Sequence, residues 1–221
     1  MNKRILIVHA HPEEKSFCAS IKNTMVKYYE EHGAEVKISS LYEMKFNPVG
    51  GKEDFLETKE SNFFKYQMEQ LNAAENNLFS DDVQTEMDKF EWCDTLIFNF
   101  PLWWFGLPAI LKGWVDRIFA MGKVYGNGKG VYDNGSFKEK SAFITMTTGG
   151  PIQAYGDEGK NGDLNTILFP IHHGMFYFVG MKVYPPFVCF SPARISDEER
   201  QSELLRLEDY LNELNNQKTL F

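Results

Sequence analysis

Three short stretches of this chain hold residues able to do chemistry: HAHPEEKSF at 9–17, NFPLWWFG at 99–106 and TMTTGGPIQAYG at 145–156. In the first, Lys15 and Ser16 precede an amphipathic segment, and a helix starting there offers free amide donors and a positive dipole end to a phosphate. Ser16 equally suits an ordinary N-cap. In the third, Thr147, Thr148, Gly149 and Gly150 lack bulky side chains, so backbone N–H groups can approach a planar ligand and offset negative charge developing on it. The same four residues also suit a plain turn. In the second, Trp103, Trp104 and Phe105 can wall an apolar cleft for flat rings, or fill the core or a subunit interface. The first stretch matches neither G-x-G-x-x-G nor G-x-x-x-x-G-K-[ST], so it carries neither a dinucleotide fingerprint nor a P-loop. The glycine-rich run at 126–130 follows a helix rather than a strand and reads as an ordinary loop.

These loops act together only if the elements before them end at one place. Apolar runs at 4–9, 35–40, 95–100, 141–147 and 182–188 alternate with helical periodicity, the pattern of an α/β fold with helices on both faces of a five-stranded parallel sheet. Doubly wound sheets bind ligands outside the carboxyl ends of their strands, and the three loops leave strands one, three and four. After the first strand, Phe17, Ile21, Met25 and Tyr28 make one stripe, with Ser16 as cap and Gly33 as the left-handed residue at the helix end. Pro108 suits a first helical turn, followed by a broad apolar face of Ile110, Leu111, Trp114, Val115, Ile118 and Phe119. The last helix opens with Ser196 and Glu199 at capping-box spacing and shows Leu204, Leu207, Leu211 and Leu214 on one side. An insertion at about 45–90 should contain short helices, with Phe46, Phe55, Phe63, Phe64, Tyr66 and Phe79 as core or interface anchors.

The totals narrow the class. At 221 residues with 43% hydrophobic content, one domain with a full core is expected over 1–221. A formal net charge of -8 disfavours a duplex nucleic-acid partner, which needs a basic face. Cys18, Cys93 and Cys189 are too few and too scattered for a disulfide framework, so a reducing, cytoplasmic setting is the simplest. The run MNKRILIVHAH is too short and too soon interrupted for a signal peptide, and the apolar window 98–115 holds Asn99, Lys112 and two prolines, against a membrane span.

Taken together, ILIVHAHPEEKSF, SSLYEMKFNPV, FPLWWFGLPAILKGWVDRIF, KSAFITMTTGG and FPIHHGMFYFVG resemble the flavodoxin-like NAD(P)H:quinone oxidoreductases of the DT-diaphorase type, over nearly the whole chain. The resemblance implies a flavodoxin-like sheet of order 2-1-3-4-5, FAD bound without a Rossmann fingerprint, and a homodimer with active sites at the subunit interface. It implies two-electron reduction of a small-molecule quinone by NADH or NADPH, in a ping-pong hydride transfer. It places His11, Ser16 and Phe17 beside the ribityl and phosphate portion, and Pro101, Leu102, Trp104 and Phe105 around the isoalloxazine. Thr147, Thr148, Gly149 and Gly150 fall along its pyrimidine edge, and Arg200 and Leu204 at the adenine end, which favours FAD over FMN. Tyr155 matches a tyrosine that assists proton movement, while Tyr125 and Phe178 match aromatics lent by the partner subunit to a substrate pocket that Trp104 and Phe105 also line.

The chain departs from that pattern twice. Where the best-known branch completes a proton relay with histidine, this sequence has Asn161, as in the paralogous branch that prefers dihydronicotinamide ribosides. Asn161 can orient Tyr155 by a hydrogen bond but cannot titrate near neutral pH. Of the paralogue's two metal-binding histidines only His173 matches, with Tyr177 at the second position, so no metal site is expected. Two other classes stay open: an FMN-bound electron carrier, disfavoured because HPEEKSF is not a Thr-rich phosphate loop, and a quinone-reductase-like regulatory subunit of a membrane transport system.

Overall fold

A computed structural model describes residues 3–59, 62–156 and 158–221. Strands β1 (Arg4–His9), β2 (Glu35–Ser40), β3 (Thr95–Pro101) and β4 (Ser141–Thr148) run parallel in the order β2-β1-β3-β4. The fifth position is filled by two short strands, β5 (Lys182–Val183) and β6 (Phe187–Phe190), both parallel to β4. The single strand expected over 182–188 is broken because Pro185 and Pro186 bring no N–H to the ladder. Tyr184, just before them, still donates its N–H to the Ala142 carbonyl at 2.9 Å. The fold is thus a flavodoxin-like, doubly wound α/β sheet of order 2-1-3-4-5.

Period-two alternation sends side chains to two cores. Leu6, Val8, Leu96, Phe98, Ala142 and Ile144 face α3 (Asp81–Trp92) and α4 (Ala109–Ile118), packing against Val83, Met87, Leu111 and Trp114. Ile5, Ile7, Ile97 and Phe143 face α1 (Phe17–Glu31) and α6 (Asp197–Glu213) through Ile21, Met25, Leu207 and Leu211. Each such large aliphatic, fully buried, is worth about 1.5–3 kcal/mol.

Local chemistry sets the helix ends. Ser16 Oγ accepts from Ala19 N at 3.1 Å, and Gly33 takes φ +74 after α1. The buried stripe of α1 ends on Tyr29 rather than Tyr28. Tyr28 is half-buried against the same core, with its hydroxyl donating to Asn212 of α6 at 2.8 Å, while a period of 3.6 carries the fully buried Ile21 and Met25 face on to position 29. Ser196 and Glu199 form a capping box at the start of α6. Pro170 sits inside α5 (Leu164–Ile171), and a π-helical turn, His172–Tyr177, follows it.

Between β2 and β3 lie a 3₁₀ turn, α2 (Tyr66–Asn76) and α3, the crossover helix itself. Phe46, Phe55 and Phe79 are buried, Phe64 and Tyr66 pack against the same core, and Phe63 remains exposed. A buried ion network fastens this segment to α4. Arg117 donates to Asp54 and Asp82, each at 2.8 Å, and to the Asn47 carbonyl at 2.9 Å, while the Tyr66 hydroxyl donates to Asp54. Arg117 and Asp54 are both 2% exposed along their side chains, so removing one partner strands the other's charge. Arg117→Met should therefore destabilise the protein by about 3–5 kcal/mol in urea unfolding, whereas a loss below 1 kcal/mol would show Asp54 solvated.

Candidate active site

The register sets His9, Asn99 and Thr145 side by side across β1, β3 and β4, so the loops that follow start level at one sheet edge. There they enclose a cleft of about 530 Å³. His11, Ser16 and Phe17 line it from the first loop, Pro101 and Leu102 from the second, Thr147, Thr148 and Gly149 from the third, and Arg200 from α6. Trp103 lines it too, as its aromatic loop suggested, and Cys18, Pro192 and Ala193 join the wall without having been expected there. Pro192 and Ala193 were foreseeable, since they follow the carboxyl end of β6.

The first loop supplies donors. The amides of Phe17 and Cys18, first in α1, have no hydrogen-bond partner among the described residues, as expected at a helix N-terminus. His11 Nδ1 lies 3.0 Å from the Glu13 amide and 3.2 Å from the Glu13 carbonyl, so Glu13 holds the ring in place whichever nitrogen carries the proton. Burial lowers the pKa of His11, favouring the neutral form. At the far wall, Arg200 donates to the Pro192 and Ile195 carbonyls, at 2.9 and 2.5 Å, and pairs with Asp197. Its guanidinium thus holds the loop at 192–197 in place. Leu204 does not reach the cleft; it packs into the core beneath α1 and α6, one helical turn beyond Arg200.

In the third loop the carbonyls are tied and the amides are free. The Gly149 carbonyl accepts from Ser191 Oγ at 3.2 Å and the Gly150 carbonyl from Thr148 Oγ1 at 2.8 Å. Neither glycine N–H has a partner among the described residues. Tyr155 and Asn161 flank Gly150: a Cβ there would lie 3.1 Å from Asn161 Nδ2 and 3.4 Å from the Tyr155 ring. The expected hydrogen bond between these two side chains is absent among the described residues. Tyr155 instead leans on the Phe190 ring, with centroids 5.6 Å apart, and the main-chain N–H of Asn161 donates to the Ala154 carbonyl at 2.8 Å.

The second loop is a strained two-residue turn. Trp103 and Gly106 exchange backbone hydrogen bonds of 3.2 and 3.0 Å, and Trp104 and Phe105 between them take φ 49 and 59. Such turns ordinarily use Asn-Gly, and each bulky left-handed residue costs roughly 1–2 kcal/mol. The geometry turns Trp103 to the cleft wall and throws Trp104 outward, 97% exposed, with Phe105 half-exposed beside it. Trp104 and Phe105 therefore do not line the cleft of their own chain.

Tyr125 and Phe178 lie elsewhere, 6.2 Å apart between ring centroids, in a second cleft of about 480 Å³ that shares no lining residue with the first. Gln67 Nε2 donates to the Tyr125 hydroxyl at 2.9 Å, and Tyr66, Asp116 and Met175 complete its walls. His173 stacks on Phe169, and the Tyr177 hydroxyl donates to Asp133. Among the described residues no group of three His, Cys, Asp or Glu side chains is arranged to hold a metal.

A family model described as flavodoxin-like fold matches residues 3–211. The chain is 38% identical over 200 residues to the ribosyldihydronicotinamide dehydrogenase [quinone] of Rattus norvegicus, covering 90% of this chain and 86% of that one. It is 42% identical over 185 residues to NAD(P)H dehydrogenase [quinone] 1 of Cavia porcellus, covering 83% and 67%. A solved structure of a candidate quinone reductase from Klebsiella pneumoniae superposes with a TM-score of 0.95 at 33% identity, covering 99% of this chain and 87% of that one. With the strand order, the three-loop cleft and these likenesses agreeing, the chain belongs to the flavodoxin-like NAD(P)H:quinone oxidoreductase family.

Proposed function

We propose that this enzyme holds FAD in the three-loop cleft and reduces quinones by two electrons at the expense of NADH or NADPH, as a cytoplasmic homodimer. One observation carries the reading: Gly149 and Gly150 present unpartnered amides on a loop whose carbonyls are already fixed, beside a cleft that continues past a helix N-terminus to Arg200. The chain's donors fit a flavin. Two rigid N–H groups suit the polar edge of its ring, the Phe17 and Cys18 amides suit its phosphates, and the extent of the cleft toward Pro192 and Arg200 favours the dinucleotide over FMN. Bound there, a flavin would supply the two-electron hydride chemistry between a dihydronicotinamide and a quinone.

The residues then divide the work. The Gly149 and Gly150 amides stabilise negative charge at the ring edge without reorganising, because Ser191 and Thr148 have fixed their loop beforehand. Tyr155, against Gly150, holds or moves a proton at its hydroxyl oxygen. Asn161 supplies polarity there without titrating. Pro101 and Leu102 exclude water from the other wall.

The dimer is supported by the fully exposed Trp104, held outward at a conformational cost, and by the separation of Tyr125 and Phe178 from the cleft they are expected to complete. In the homodimer, one protomer's Tyr125 and Phe178 would face the other's flavin and bind the quinone with Trp104 and Phe105. The three free cysteines, all buried, fit a reducing compartment. No helix among the described residues is long and apolar enough to cross a membrane.

Two sets of variants test this reading. At Gly149 a Cβ meets nothing within 4 Å, so Gly149→Ala should fold normally yet bind flavin at least several-fold more weakly, as followed by flavin fluorescence titration. Tyr155→Phe should slow reduction by the dihydronicotinamide roughly 10- to 100-fold with the flavin retained; an unchanged rate removes Tyr155 from the chemistry. Trp104→Asn should relieve the turn and weaken dimerisation about tenfold or more in sedimentation, while Tyr125→Ala should raise the quinone KM without loss of flavin. A monomeric wild-type enzyme with full turnover contradicts the dimeric site. Flavin released by denaturation and identified chromatographically decides FAD against FMN.

A further inference from the structure

One buried carboxamide lies beneath all three loops. Asn99, fully buried on β3, has Oδ1 2.5 Å from His9 Nδ1 and 3.5 Å from Cys18 Sγ, and donates from Nδ2 to Thr145 Oγ1 at 2.9 Å. Its main-chain carbonyl also accepts from the Ala10 amide at 2.9 Å. Four segments therefore converge on one residue: β1, β3, β4 and the first turn of α1. In each, the tie lies within two residues of a group on the cleft wall: His11 after His9, Pro101 after Asn99, Thr147 after Thr145, and Phe17 beside Cys18. His9 and Asn99 do not line that cleft, so they act on it only through what they hold.

We propose that Asn99 is a positioning residue for flavin binding, its amide fixing the spacing of the three loops through His9, Thr145 and Cys18; the inference rests on the flavin reading above. A carboxamide suits this place because it is planar, offers acceptor and donor in fixed directions, and carries no charge to desolvate. Burial pushes the pKa of His9 down to about 4, so the ring stays neutral and the contact is a fixed dipole near neutral pH. Sheet hydrogen bonds alone hold strands level, but they leave the loops beyond the strand ends free to splay. Ligand sites lose affinity when such supporting contacts loosen, even with every wall residue present.

The test separates positioning from mere stability. In the double variant His9→Leu with Asn99→Leu, both ends of the His9–Asn99 pair become apolar side chains of similar bulk, which limits the burial cost chiefly to the Thr145 hydroxyl left without its partner. Its apoprotein should melt within a few degrees of wild type while binding flavin about tenfold or more weakly. A second comparison uses Thr145→Val and Thr145→Ser, which differ only in the hydroxyl that Asn99 reaches and the methyl groups beside it. The serine variant should bind flavin within about twofold of wild type and keep the shape of the bound-flavin absorbance band, and the valine variant should do neither. Flavin affinity unchanged in a folded double variant overturns the proposal, as does equal affinity of the valine and serine variants, which also decides the matter if the double variant does not fold. A wild-type protein that binds no flavin overturns the functional reading and this inference with it.

Discussion

A parallel sheet buried on both faces leaves only its strand ends for ligands, and here the level register of β1, β3 and β4 governs what those ends can do. Two apolar cores clamp the sheet through α3 and α4 on one side and α1 and α6 on the other. The strands cannot slip by one residue without turning Leu6 and Val8 away from one core and Ile5 and Ile7 away from the other. Rigidity bought in this way is delivered to the strand ends, the loops beyond them and the first turn of α1, which carry most of the groups proposed to touch the flavin.

The loops show where stability has been given up locally. Trp104 and Phe105 occupy left-handed backbone where Asn-Gly would sit more easily, and the glycine amides of the third loop are left without partners. Neither feature helps an isolated chain. Both make sense if a ring system fills the cleft and a second protomer covers the turn, because the same groups then gain the contacts they lack. The buried Arg117 network works in the opposite sense: it pins the segment carrying Tyr66 and Gln67, and through Gln67 the hydroxyl of Tyr125, at the second cleft.

Much of this was legible in the sequence because periodicity is a local property. The runs at 4–9 and 35–40 match β1 and β2 in full, and the Ser196–Glu199 capping box forms as its spacing dictates. The fifth strand was misjudged because apolar character hid the loss of two backbone donors at Pro185 and Pro186. Tyr28 packs on the core of Ile21 and Met25 as its spacing suggests, but the neighbouring Tyr29 is the more deeply buried, because a three-residue step and a four-residue step are equally plausible on paper. The site was legible as three loops but not as side-chain directions. Trp103 rather than Trp104 faces the cleft because of φ values no composition reveals, and Asn99 looked like one polar residue in an apolar strand until the register set His9 and Thr145 beside it.

The central claim is that one cleft handles reductant and quinone in succession through a single bound flavin. Anaerobic stopped-flow mixing of the flavin-loaded protein with a dihydronicotinamide alone, followed by a second mix with quinone, tests it directly. The account predicts complete bleaching of the blue absorbance band in the first mix and its full return in the second, each at least as fast as steady-state turnover. Bleaching that requires quinone to be present, or a bound flavin that neither donor reduces at a competent rate, would contradict it.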